Sequence, residues 1–254
     1  MKEHRIFRAV FKKYFIQLRR YWFNTASAVG GLLLLFVMVF FGLRNFGANT
    51  ETLQGTIIGF ALWLFSISAY QGMSYSLLEE ARNGTLEQLY LAPTSFRNIT
   101  AYRVISSFFY NLILFFIFLS IMMAITGEFL TIRPGVLVLL FFTIIAVYGL
   151  GYIIGGLSLI FKKVQATNQI FTFLFIFLLV LPNITQGPIV YIVPISWGNW
   201  LIGAMMIDGK SLLQLPIKDI LILIANSLAY VIAGTTLFTL FEKVAKNRGL
   251  LGHY

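Results

Sequence analysis

The sequence predicts an all-α protein that crosses a membrane about six times, and three observations carry that prediction. Of the 254 residues, 59% are hydrophobic and 11% charged, where soluble domains hold roughly 45–50% apolar and about 25% charged residues. Apolar runs of about 20 residues, the length that crosses a bilayer core, recur along the chain. The nineteen Lys and Arg residues gather at the flanks of those runs, as topology signals do. One domain over residues 1–254 accounts for the whole, because no stretch is long and polar enough for a second one.

The elements follow in order. In residues 1–24, Ile6, Phe7, Val10, Phe11, Tyr14, Phe15, Leu18 and Trp22 recur at helical spacing, with Arg5, Arg8, Lys12, Lys13, Arg19 and Arg20 in most of the positions between. That pattern predicts a basic amphipathic helix lying in the headgroup plane. No cleavable signal peptide is expected, since the first apolar run begins late and lacks a small-x-small site. The expected spans are Thr25–Leu43, Leu53–Leu78, Val104–Thr126, Val136–Phe161, Ala166–Leu181 and Ile217–Phe241. Residues 79–98 interrupt them with a polar run. Residues 182–216 are too apolar for a solvated loop and too broken by Pro and Gly for a straight span. Tyr191, Trp197 and Trp200 there suit an interfacial belt. Short re-entrant or interfacial helices are expected, buried in protein or lining a wet cavity.

Orientation follows from the basic residues. With the N-terminus inside, only Arg44, Arg133, Lys210 and Lys218 of the nineteen fall outside. The bias places both termini in the cytoplasm and requires an even number of spans. The net charge of +10 is therefore read as facing phospholipid headgroups and not nucleic acid.

Several chemistries are excluded by residue type. No Cys is present, and the two His residues, His4 and His253, stand at opposite ends. A His-based metal site or a Ser protease with a His base inside the membrane has no residues to build it. Apart from Lys218 and Asp219 in the first turn of the last one, no Asp, Glu, Lys, Arg or His falls within the six expected spans, so the ion-relay groups of coupled carriers are missing at membrane depth. No catalytic residue and no metal ligand is assigned. The stretch Gly203–Ser211 imitates a phosphate-binding loop, with one residue too many between its glycines and no strand–loop–helix context. Sequons at Asn83, Asn98 and Asn183 are set aside as chance tripeptides.

The polar run Glu79–Asn98 has an internal logic. Gly84 supplies a turn; Thr85 and Gln88 form a T-x-x-Q capping box. Glu87 sits in the first turn, where the helix dipole favours an acid. Pro93 ends the helix by biasing Ala92 away from helical angles. Ser95 caps the helix that follows. The predicted helix is two turns long, Leu86–Leu91, with Leu86, Leu89 and Tyr90 on one face. So short a helix is not stable alone in water. It docks either on its own spans or on a separate cytoplasmic protein.

Glu80, Gly84, Thr85, Leu86, Glu87, Leu89 and Pro93 spell E-x-x-x-G-T-L-E-x-L-x-x-x-P, which resembles the cytoplasmic signature of ABC-2-type exporter permeases. The resemblance covers the whole chain: its length, about six spans, a basic elbow helix before the first, and an apolar re-entrant segment before the last. Gly198–Met205 departs from the Asn-Pro-rich pattern of that family. The resemblance implies a permease subunit in the cell (plasma or inner) membrane, paired with a second permease subunit as homodimer or sister heterodimer. Two cytoplasmic ABC ATPase subunits would hold ATP and Mg; this chain would bind no cofactor and be no enzyme by itself. Residues Glu80, Gly84, Thr85, Leu86, Glu87, Leu89, Tyr90 and Pro93 would form the coupling helix that enters the ATPase. By analogy Glu87 would pair with a basic group there or on the elbow helix. The expected cargo is an amphiphile: a drug, a peptide antibiotic, a lipid or a lipid-linked glycan. The pathway would run near the second and fifth spans, with Ser66, Tyr70, Gln71, Phe173 and Phe177 as candidate lining. Polar residues in the second span also fit interhelical hydrogen bonds, and Phe in the fifth also fits lipid or core. Gly55/Gly59, Gly151/Gly155 and Ala225/Ala229/Ala233 are expected to permit close helix approach, by packing within one subunit or at a dimer seam. The rival reading is a non-transport membrane scaffold, assembly or immunity factor.

Overall fold

The computed structural model describes residues 2–92, 94–161, 164–185 and 187–249. Among them no strand is present, and six helices are long and apolar enough to cross a membrane. These are α2 (Trp22–Asn45), α3 (Thr50–Arg82), α5 (Phe96–Thr126), α6 (Gly135–Ile160), α7 (Gln165–Ile184) and α10 (Ile217–Asn247). Four others complete the set: α1 (Lys2–Arg20), α4 (Leu86–Tyr90), α8 (Ile189–Ile192) and α9 (Ser196–Met206). The fold is that of an all-helical, multi-pass membrane protein.

Three helices outrun their apolar stretches. At 33, 31 and 31 residues, α3, α5 and α10 reach about 45–50 Å at 1.5 Å per residue, against a hydrocarbon core of about 30 Å. The extra turns are the C-terminal end of α3, the N-terminal end of α5 and the C-terminal end of α10, and all three meet at one end of the bundle. Ser95 explains the start of α5. Its backbone is extended (φ −64°, ψ 145°) and its hydroxyl accepts the Asn98 N–H at 3.2 Å, the N-cap expected for Ser.

The densest seam joins α6 to α10. A Cβ on Gly149 would stand 2.4 Å from the Tyr230 carbonyl oxygen, and one on Gly234 would stand 2.2 Å from the Gly149 oxygen. The two backbones touch because neither residue has a side chain. On the other side of α6, Gly151 approaches the Tyr70 backbone and Gly155 meets Met73 of α3, the internal packing expected of that pair. A Cβ added to Gly55 or Gly59 would meet nothing within 4 Å. Among the described residues these two make no close approach, so the internal packing expected of the pair is not found.

The interrupted segment between α7 and α10 is folded against the bundle. Pro182 lies inside α7 and has no N–H, which leaves the Leu178 carbonyl without its helical donor. The Ser196 hydroxyl donates to that carbonyl, and Asn199 Nδ2 donates to the next one, Leu179, at 3.0 Å. Ser196 is the first residue of α9, so α9 supplies the donor that the proline lacks. Leu201, Ile202 and Met205 bury completely where α9 meets α6, α7 and α3. Asn226 Nδ2 reaches the Tyr191 and Ile192 carbonyls at 2.8 and 2.6 Å, and Trp197 Nε1 the Asp219 carbonyl at 3.2 Å. In this irregular segment side chains supply the donors that a regular helix would have provided.

Candidate functional site

The junction of α4 with the protruding helix ends is the best-built polar site among the described residues. It starts from a turn: Gly84 has φ +68°, a left-handed conformation that glycine adopts without strain. The turn folds Thr85 back on α3, and its hydroxyl donates to both the carbonyl and the carboxylate of Glu80. Glu80 also accepts from Arg103 Nη2 of α5 at 2.7 Å and faces Lys13 Nζ of α1 at 3.6 Å. One carboxylate thus gathers α1, α3, α5 and the start of α4. The Arg103 and Glu80 side chains are 11% and 16% exposed, so this pair is far less screened than a surface bridge. Lys13 is 53% exposed and contributes correspondingly little.

An apolar cluster sits beneath the charges. Leu86 is 1% exposed and packs with Leu77, Ala81, Phe96, Phe238 and Ala245; Leu89 and Tyr90 pack on the same group from the rim. Tyr90 stacks on Phe96 at 4.2 Å between centroids, and Lys246 Nζ lies 4.4 Å over the Tyr90 ring, within cation–π range. Glu242, 5% exposed, holds Lys246 at 2.7 Å and Arg97 at 4.0 Å. Among the described residues the buried Tyr90 hydroxyl has no hydrogen-bond partner. Burial first, then the Glu242 charge, push this phenol above its ordinary pKa, so it stays protonated at neutral pH. Among the described residues, the ion pairs that join separate helices all lie at this end.

The structure therefore brings Glu80, Gly84, Thr85, Leu86, Leu89 and Tyr90 together. Pro93 and the side chain of Glu87 lie outside the described residues. α4 ends at Tyr90, one residue short of the expected stop, and Leu91 beyond it is 85% exposed. The apolar face of α4 is directed at its own chain, and Leu91 is the apolar group left at the surface. The sequence reading missed Arg103 and Glu242 as members of the site. A signal existed for Arg103: it is the cation directly before the Val104 span, facing an acid just past the Leu78 end of another. Glu242 and Phe238 come from the far end of the chain and gave no signal of their own.

The candidate lining residues divide. Ser66 and Tyr70 are 0% exposed within the chain, which favours the hydrogen-bonding alternative over a lining. Ser66 donates to the Leu62 carbonyl within its own helix at 2.7 Å. The Tyr70 hydroxyl donates to the Asn168 carbonyl of α7 and lies 2.7 Å from Thr172 Oγ1. Tyr70 thus ties α3 to α7 by the interhelical hydrogen bonding that was the alternative to a wet lining. Gln71 is half-buried and donates to Tyr70 Oη and Thr172 Oγ1 at 2.9 and 3.0 Å. Phe173 and Phe177 are exposed, at 71% and 52%. Among the described residues no group of three or more His, Cys, Asp or Glu residues could hold a metal.

The fold and this junction define a polytopic helical membrane protein with an ion-paired helical clasp at one end of its bundle. No protein-family model matches the chain, and no curated protein matches it.

Proposed function

We propose that this chain is the permease subunit of an ATP-driven ABC-2-type exporter, working in a cell membrane with a second permease subunit and cytoplasmic ATPase subunits. Its cargo in this reading is an amphiphile, and both termini lie in the cytoplasm. α1 takes the part of the elbow helix, α4 that of the coupling helix, and α8–α9 that of the re-entrant segment. ATP and Mg belong to the partner. One observation carries the reading. A five-residue helix with an exposed apolar tip, Leu91, is clamped by Glu80, Leu86 and Tyr90 to the ends of α3, α5 and α10. A push on that tip is delivered to three spans together, which a coupling element requires.

A second reading, a non-transport scaffold, assembly or immunity factor, draws support from the same helix. Its apolar face is already buried against its own chain, so no outside partner is needed to stabilise it.

The deciding experiment is a mild-detergent purification from the native membrane of wild type beside Leu91→Asp. The exposed position leaves folding intact, with an expected stability change within about 0.5 kcal/mol. In the exporter reading an ATPase subunit accompanies the wild type and is lost from Leu91→Asp. An unchanged complement of partners, or no ATPase with either protein across several detergents, sinks it. Leu89→Asp is the poorer probe, because Leu89 packs inward and its loss disturbs the clasp itself.

A further inference from the structure

We propose that the outward arc of α1 is a binding site for the headgroups of anionic phospholipids, centred on Arg8, Lys12 and Arg19. The inference stands on the placement of α1 and does not rest on the exporter reading.

Two contacts and one chain connection fix the helix at one level of the molecule. Phe7 packs edge-on against Tyr102, just before the expected Val104 start of the α5 span, at 5.7 Å between centroids. Lys13 reaches Glu80, just past the expected Leu78 end of the α3 span. Arg20 is followed directly by Tyr21 and by Trp22, the first residue of α2. Both ends and the middle of α1 therefore sit where spans begin or end, so the helix runs along the membrane boundary. Tyr21, Trp22 and Phe23 are 54%, 64% and 70% exposed, and such aromatic side chains favour headgroup depth.

The faces of α1 are sorted accordingly. Phe7, Val10 and Phe11 are half-buried on the side that packs along α5. At about 100° per residue, Arg8, Lys12 and Arg19 fall within about 40° of one another, on the side opposite Val10. All three are exposed, and none of the ion pairs found among the described residues uses them. Ile16, 53% exposed, lies beside them, flanked on its other side by Arg20 and Lys13. An apolar side chain between two basic rows matches a lipid surface: acyl carbon under Ile16, phosphates on either flank. The rise of about 16 Å from Arg8 to Arg19 is enough for more than one headgroup. An acidic protein partner would meet the charges but would leave Ile16 and the Tyr21–Phe23 aromatics facing the wrong medium.

The test uses the full chain purified in a nonionic detergent and follows thermal unfolding during titration with dioleoyl phosphatidylglycerol. A ligand that binds the folded state raises Tm in proportion to its affinity. The wild type is expected to gain Tm with phosphatidylglycerol and not with phosphatidylcholine or inorganic phosphate, and to lose the gain as salt rises. At about fivefold per basic residue near an anionic surface, Arg8→Gln/Lys12→Gln/Arg19→Gln should raise the half-saturating lipid concentration on the order of a hundredfold. The control Arg82→Gln/Lys243→Gln/Arg248→Gln removes three exposed cations from other segments and should titrate like wild type. Equal titration of the α1 variant and wild type overturns the proposal. So does an equal loss in the control, or a matching response to inorganic phosphate. Should the α1 variant fail to fold, hydrogen exchange of the wild type in nanodiscs decides. Slower exchange over residues 6–20 in phosphatidylglycerol than in phosphatidylcholine supports the site; equal exchange overturns it.

Discussion

The α4 clasp and the α8–α9 segment solve one problem by opposite chemistry. Each is a short, irregular piece of chain lying between long helices. The clasp is held by charge: Glu80 with Arg103 and Lys13, Glu242 with Lys246 and Arg97. The α8–α9 segment is held by neutral donors, Ser196, Asn199, Trp197 and Asn226, each on a backbone carbonyl. Charged groups are stable only where their remaining hydration survives. The clasp is therefore built for the edge of the bundle, in reach of water. The α8–α9 segment uses neutral amides and hydroxyls, which cost far less to desolvate where it is buried, as at Ser196. The two ends should then respond differently to mutation and to salt.

The largest expected effect is at the clasp. Glu80→Leu leaves Arg103 nearly buried without its carboxylate, and arginine cannot neutralise itself by losing a proton. Breaking such a pair from one side costs about 3–5 kcal/mol, read as a lower Tm in detergent. A loss below about 1 kcal/mol would put the pair in the solvated class and erase the contrast. At the other end, Asn226→Leu removes the donor of two carbonyl bonds and should cost about 1–3 kcal/mol. Its loss should be the same at low and high salt, and a marked salt dependence would mean that charge matters there too. The smallest effect is Lys13→Gln, about 0.5 kcal/mol or less, shrinking further as salt rises. A larger, salt-resistant loss would place Lys13 inside the clasp and not at its rim.

Much of the architecture was legible because spans are long. The six apolar runs and the Ser95 cap are local signals, and each appears where the spacing puts it. Their surroundings were not legible. α2 and α6 have nearly equal hydropathy, 2.4 and 2.5, yet 11% of one window and 56% of the other are buried. Lipid and protein are equally apolar, so hydropathy cannot tell a lipid-facing helix from a central one. The distinguishing residues are the small ones, Gly149 and Gly156 against α10 and Gly151 and Gly155 against α3. Even these do not mark internal packing in isolation: Gly55 and Gly59 share the spacing, and among the described residues a Cβ on either would touch nothing. Tyr70 was ambiguous for a related reason. A polar residue in a span marks either a wet surface or a buried bond, and only the position of Asn168 and Thr172 on α7 decides which. The clasp was half legible. Gly84, Thr85 and Leu86 lie in one short stretch, while Arg103, Phe238 and Glu242 come from elsewhere, and no local pattern announces a meeting between them.

The glycine lock between Gly149 and Gly234 sets a timetable for biosynthesis. About eighty-five residues of chain separate the two glycines, and at about 5–20 residues per second the ribosome needs roughly 4–17 s to travel from one to the other. Throughout that interval α6 stands in the membrane with its narrow groove open. Among the described residues it is α10 that fills this groove in the finished structure, so the nascent protein waits for α10 before its middle can close. Interruptions of synthesis in that window should yield an inserted but unclosed bundle, the form a membrane quality-control protease would meet first.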